Sequence, residues 1–135
     1  MDVITFLKTV NTEDLKFKFD FRAGLTLARI AEIEKQLQIK LPPDLVDFYS
    51  YTNGIEGDDW IFNIIPLENI IKEKDSKGIL LGFAEYMIYS ETCFLEIDKD
   101  NNSYKFFIVR EKVIADSIIE FIKIYCNKGV FGIFS

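Results

Sequence analysis

Three runs in quick succession, 79-ILLGFAEYMIYS-90, 92-TCFLEID-98 and 103-SYKFFIV-109, most restrict the folds open to this chain. They are rich in β-branched and aromatic residues and are split by polar punctuation, the pattern of strands. The segment 98-DKDNNS-103 is turn-forming by composition, so the last two runs form an antiparallel hairpin.

Helical patterns flank these runs. Val3, Phe6, Leu7 and Val10 share one face of a short N-terminal helix. The stretch 15-LKFKFDF-21 alternates, as a half-buried strand does. Thr26 is placed to cap a helix over 27–38, whose stripe is Leu27, Ile30, Ile33 and Leu37, with Glu34 at its edge. In 41-LPPDLVDFYSYTNG-54, two prolines mark the start of a second helix and Asn53-Gly54 its end. Residues 60–70 read as a strand stopped at Pro66 and then a helical turn, and 72–78 as a charged loop. A last helix spans 113–129, with Ile114, Ile118, Phe121, Ile122 and Tyr125 on its apolar stripe.

These elements predict an α+β fold: an antiparallel sheet of about four to six strands, packed with N-terminal helices and a C-terminal helix. Leu37, Leu41, Phe48, Ile65, Phe83, Ile118 and Phe121 are expected in its core. No repeat or linker breaks the pattern, so residues 1–135 are expected to form one domain. The tail 130-VFGIFS-135 is too apolar for water. It should dock as an edge strand, lie across a groove, or sit in a homodimer contact.

The chain has no histidine, which removes the commonest general base and most zinc sites. Cys93 and Cys126 match no ligand or redox spacing. No glycine-rich phosphate loop is present. Asp58-Asp59 is a weak candidate for an acid/base pair, since adjacent loop residues diverge. Asp98, Asp100 and Asn102 alternate as in a calcium loop but lack its glycine and distal glutamate. No catalytic residue, metal site or cofactor is expected.

Charge is more informative. The net charge is −6, and residues 56–101 hold eleven acids against four bases. Nucleic-acid binding needs the opposite sign. An acidic middle suits a basic protein partner, and Glu56, Asp58, Asp59, Glu91, Glu96 and Asp98 are the candidate contacts, with Trp60 as an anchor. A solvated acidic face is the plain alternative. Apolar runs far shorter than the ~20 residues of a membrane span, and an N-terminus without a basic region, predict a cytoplasmic protein.

The order Ile30, Ile33-Glu34, Leu37, then 41-LPPDLVDFYSYTNG-54, Ile65-Pro66-Leu67-Glu68, 82-GFAEYMIYS-90 and 114-IADSIIEFIKIY-125 resembles the SUKH superfamily of Smi–Knr-like proteins. Residues 1–22 lie outside the resemblance. Many members have glycine where this chain has Gln38. The resemblance implies a non-enzymatic binding domain. Many bacterial relatives are immunity proteins that bind a cognate toxin domain, frequently a nuclease. Other members imply a second role, as interaction modules in cell-wall or signalling machinery. The third reading is an enzyme working with carboxylates alone.

Overall fold

The computed structural model describes residues 2–10, 19–57, 62–73, 78–86, 91–98, 100, 102–129 and 131–134. Asp58, Asp59 and Trp60, and the first half of the alternating run 15–21, lie outside them.

Helix α1 (Val3–Thr9) starts at Asp2, whose carboxylate accepts the Thr5 amide at 2.8 Å and the Thr5 hydroxyl at 2.9 Å. Val3, Phe6 and Leu7 are buried and join the main core. Strand β1 (Phe19–Phe21) comes next, then α2 (Leu27–Leu37), capped as expected by Thr26, whose hydroxyl accepts the Arg29 amide at 3.1 Å. Ile30 and Ile33 are buried, but Leu27 is 65 % exposed and Leu37 only half-buried. The stripe therefore narrows at both helix ends.

Helix α3 (Pro43–Tyr51) is the marked helix of the sequence. Leu41, Leu45, Phe48 and Tyr49 are buried. Just beyond its C-terminus, Asn53 and Gly54 form a structural hub. Asn53 is buried, and its Nδ2 donates to both carboxylate oxygens of Glu68, at 3.2 and 2.9 Å. Its Oδ1 accepts the Leu67 amide at 2.9 Å, so one side chain fixes the return of the 65–70 segment. Gly54 has φ +91°, and a Cβ there would stand 2.2 Å from the Ile64 carbonyl oxygen. The Asn-Gly pair is thus required by backbone geometry.

Among the described residues eight strands form one antiparallel sheet, more than the four to six expected. They are β1, β2 (Ile55–Gly57), β3 (Phe62–Ile64), β4 (Lys72–Glu73), β5 (Ile79–Tyr86), β6 (Glu91–Ile97), β7 (Tyr104–Phe107) and β8 (Val113–Ala115). The order is β1-β2-β3-β5-β6-β7-β8. The extra strands have two or three residues each, too short to show a period. Lys72 and Glu73 pair with Leu81 and Leu80, so part of the expected 72–78 loop is sheet. Strands β3 and β4 share one side of β5, and between them the chain steps out through a 3-10 turn (Leu67–Asn69). Ile65 on this segment is half-buried rather than buried.

The last helix is shorter than expected. Val113–Ala115 pairs with β7, and α4 (Ile118–Lys128) begins at Ser117, whose hydroxyl accepts the Glu120 amide at 3.1 Å. Ile114 and Ile118 are four apart, so they mimic helical spacing across a strand–helix boundary. The tail forms a helical turn, α5 (Phe131–Phe134), and not an edge strand. Phe134 lies on Phe62 and Tyr86, with ring centroids 6.2 and 5.6 Å away.

Helices α3 and α4 cover one face of the sheet. Phe83 meets Phe48, Phe106 and Phe121, and Phe62 stacks on Tyr125 at 4.4 Å. Among the described residues every buried side-chain nitrogen and oxygen has a hydrogen-bond partner.

Candidate partner-binding face

The other face of the sheet carries the outward half of each strand's alternation, polar from β1 to the Tyr86 end of β5. Its main row crosses five strands through paired positions: Asp20 opposite Glu56, Glu56 opposite Asn63, Asn63 opposite Glu85, and Glu85 opposite Thr92. Directly opposed residues have Cβ atoms about 4.5–5.5 Å apart, and like charges so placed destabilise a sheet. Asp20 and Glu56 are such a pair. Asn63 separates Glu56 from Glu85, and its Nδ2 donates to Glu85 Oε1 at 3.0 Å. Its Oδ1 accepts from Arg22, whose second nitrogen donates to the Ile64 carbonyl at 2.8 Å.

Further along the sheet the charges are matched. Glu96 stands opposite Lys105 and pairs with both Lys105, at 3.4 Å, and Arg110. Arg110 lies 5.2 Å over the Phe107 ring. Phe94, Phe107 and Gly82 form the apolar centre of this face.

The acids expected to act together are therefore dispersed. Glu56 is in the acidic row. Glu96 is on the same face but neutralised, with a side chain only 13 % exposed. Glu91 is opposite Tyr86, pointing to the helical side, where it borders a groove beneath α5. Asp98 is exposed in the turn and accepts the Asp100 amide at 2.9 Å. Asp58, Asp59 and Trp60 lie outside the described residues. Asp20 and Glu85 of the row, and Glu73 beside it, are acids that the sequence did not single out. Asp20 was legible as the polar position between Phe19 and Phe21, whereas Glu85 needed knowledge of strand pairing.

Nothing in this arrangement resembles a nucleophile and its base. Cys93 is fully buried, and burial pushes its thiol up to about 12. Burial raises Cys126 as well. No group of three or more metal-binding side chains occurs among the described residues. Among them, too, no helix is long and apolar enough to cross a membrane.

The sequence model of the SMI1 / KNR4 family (SUKH-1) matches residues 24–124. The chain belongs to this family. Neither curated proteins nor solved structures returned a match. The SUKH-1 match begins after β1 and ends within α4, so α1, β1 and α5 lie outside it although they complete the core and the sheet edge. Glu56, Glu73 and Glu85 fall inside the SUKH-1 region, while Asp20 is supplied from outside it.

The SUKH-1 motif residues have visible structural work. Glu34 Oε2 accepts the Leu41 amide at 2.8 Å, which fixes the turn between α2 and α3. The Tyr49 hydroxyl donates to the Ile65 carbonyl at 3.1 Å, and Asn53 holds the 3-10 turn.

Proposed function

We propose that this chain is a non-catalytic, immunity-type protein that binds and neutralises a cognate toxin domain with a basic surface, a nuclease being the best-suited class. The carrying observation is the acidic row Asp20–Glu56–Asn63–Glu85 on the sheet face opposite α3 and α4. Opposed carboxylates are a liability to the isolated sheet, so their presence is accounted for by a cationic partner. A nuclease cleft is basic because it holds phosphates, and an acidic inhibitor gains both attraction and encounter rate there. Family membership supports the same reading. Glu91, Asp98, Asp58, Asp59 and Trp60 are proposed as further contacts with this partner, met in the cytoplasm. Glu96 contributes less, being already paired.

The test is co-expression with the toxin-like C-terminal domain encoded by a neighbouring gene. The parent chain should restore growth and be captured with the domain. Glu56→Lys with Glu85→Lys should weaken capture, most clearly at low salt, where a Debye length of ~10 Å or more leaves surface charges unscreened. Full protection by the double variant would remove this face from the interface. Absence of protection and capture by the parent chain would overturn the immunity reading.

A further inference from the structure

The gap between β3 and β4 opens a cleft on the sheet face opposite α3 and α4. Strand β5 pairs with β3 along its Tyr86 half and with β4 along its Leu80–Leu81 half. The chain between them leaves the sheet at Ile65, whose amide bonds the Phe83 carbonyl at 2.8 Å, and returns at Ile71, whose carbonyl accepts the Gly82 amide at 3.0 Å. The resulting cleft has a volume of about 270 Å³. Ile65, Ile71 and Phe94 form its apolar walls, Gly82 its floor, and Glu73 and Glu85 its acidic ends. Ile71 is 65 % exposed, an unusual expense of apolar surface for a side chain with no cover.

Charge and size select the occupant. Among the described residues the cleft is lined by two carboxylates and by no lysine or arginine. Lys72, next in sequence to Glu73, is turned away and donates to the Leu37 and Gln38 carbonyls at the end of α2, at 3.2 and 3.4 Å. Glu85 is held in place through Oε1 by Asn63, itself fixed by Arg22, which leaves Oε2 as an acceptor. The Glu73 side chain has no ion pair or hydrogen bond with another described residue, while its backbone pairs with Leu80. The volume is below the ~300–1,000 Å³ of ordinary small-molecule sites, and it suits one long side chain. A second copy of this chain, at net charge −6, is a poor complement.

We propose that this cleft receives an arginine side chain from the basic partner protein. The aliphatic stem lies along Ile65, Ile71 and Phe94, and the guanidinium reaches Glu85 at one end, with Glu73 adding to the negative field from the other. This deepens the toxin-binding reading and rests on it for the source of the arginine. The cleft, unlike the acidic row alone, gives the contact a position and a shape.

The test uses the purified chain and the peptide acetyl-Gly-Gly-Arg-Gly-Gly-amide, monitored by amide NMR shifts. The arginine peptide should move Glu73, Gly82, Thr92 and Phe94. Its citrulline counterpart, equal in shape but uncharged, should bind roughly three- to tenfold more weakly, as expected for the loss of a partly shielded ion pair. Glu73→Gln with Glu85→Gln should weaken the arginine peptide to the same degree. Gly82→Ala should do so by steric means with the fold intact, because a Cβ there meets only Thr92 Cγ2 at 3.6 Å and the Ile71 oxygen at 3.8 Å. Glu32→Gln, at an exposed position of α2, should change nothing.

Equal binding of the two peptides, no shifts, or shifts centred elsewhere would overturn the assignment. So would cleft shifts that track protein concentration instead of peptide, which would make a second copy the occupant, and so would spermine matching the arginine peptide. If the parent captures the toxin and the Glu73/Glu85 and Gly82 variants do so equally well, the cleft fails and the immunity reading stands. If the peptide behaves as expected and no toxin is captured, the immunity reading fails instead.

Discussion

The Tyr104 hydroxyl donates to Asp44 Oδ2 at 2.7 Å and accepts the Ile118 amide at 3.0 Å, so one phenol on β7 joins the first turns of α3 and α4. Three elements distant in sequence meet at one oxygen.

Tyr104→Phe should therefore cost about 1–2 kcal/mol, the usual net value of one or two hydrogen bonds. Urea unfolding would measure it, and capture of the partner should not change, because Tyr104 faces the helical side. Burial, then the hydrogen bond to Asp44, raises the Tyr104 pKa above the ordinary 10.0, and burial chiefly does the same for Tyr49. The unfolded chain loses these protons near pH 10 while the folded chain keeps them. Stability from this source is thus present below about pH 10 and is lost as pH rises towards the folded values. An absorbance titration should show both phenols silent until the protein unfolds, with Tyr49→Phe and Tyr104→Phe leaving the first titration step unchanged.

Gln38 has φ +56° and ends α2 in the left-handed region, with Ile39 and Gln38 amides bonded to the Glu34 and Lys35 carbonyls. Glycine adopts that conformation without a Cβ penalty. Gln38→Gly should raise stability by about 0.5–1 kcal/mol, read as a higher unfolding midpoint with an unchanged denaturant slope.

Glu96→Gln should separate stability from binding. It leaves Lys105 and Arg110 without their shared carboxylate, and Arg110 covers Phe107. We expect a loss of roughly 1–2 kcal/mol by thermal unfolding, after discounting Lys105 for its solvent exposure. The loss of toxin capture should be smaller than for Glu56 or Glu85 substitutions.

Deleting residues 131–135 should uncover Phe62 and Tyr86. Ile133 is 2 % and Phe134 8 % exposed, so the loss should be about 2–5 kcal/mol. Increased binding of a hydrophobic dye, with earlier thermal unfolding, would register it. An unchanged melting curve would show that α5 contributes nothing.

Much of the fold was legible because long elements repeat their period. α2, α3 and the β5–β6–β7 meander each show several turns or alternations. Strands of two or three residues, such as Lys72–Glu73 and Val113–Ala115, hold no period to read, and they exist because β5 and β7 offer them a partner. The same limit applies to the candidate face. Counting charge located an acidic region, but Glu91, Glu96 and Glu56 differ in what they face, and only strand register decides that. Asp20 and Glu56 are thirty-six positions apart in sequence and opposite each other in the sheet.

Along the row from Asp20 to Glu85, each outward residue has a buried or half-buried residue on either side of it in its own strand. One such residue can be exchanged without repacking the interior, whereas a single inserted residue would turn core side chains to the surface and carboxylates inward. Changes of partner in a protein built this way can accumulate one substitution at a time, each tested against a new target while the hydrophobic interior stays as it was. Changes in chain length belong to the turns.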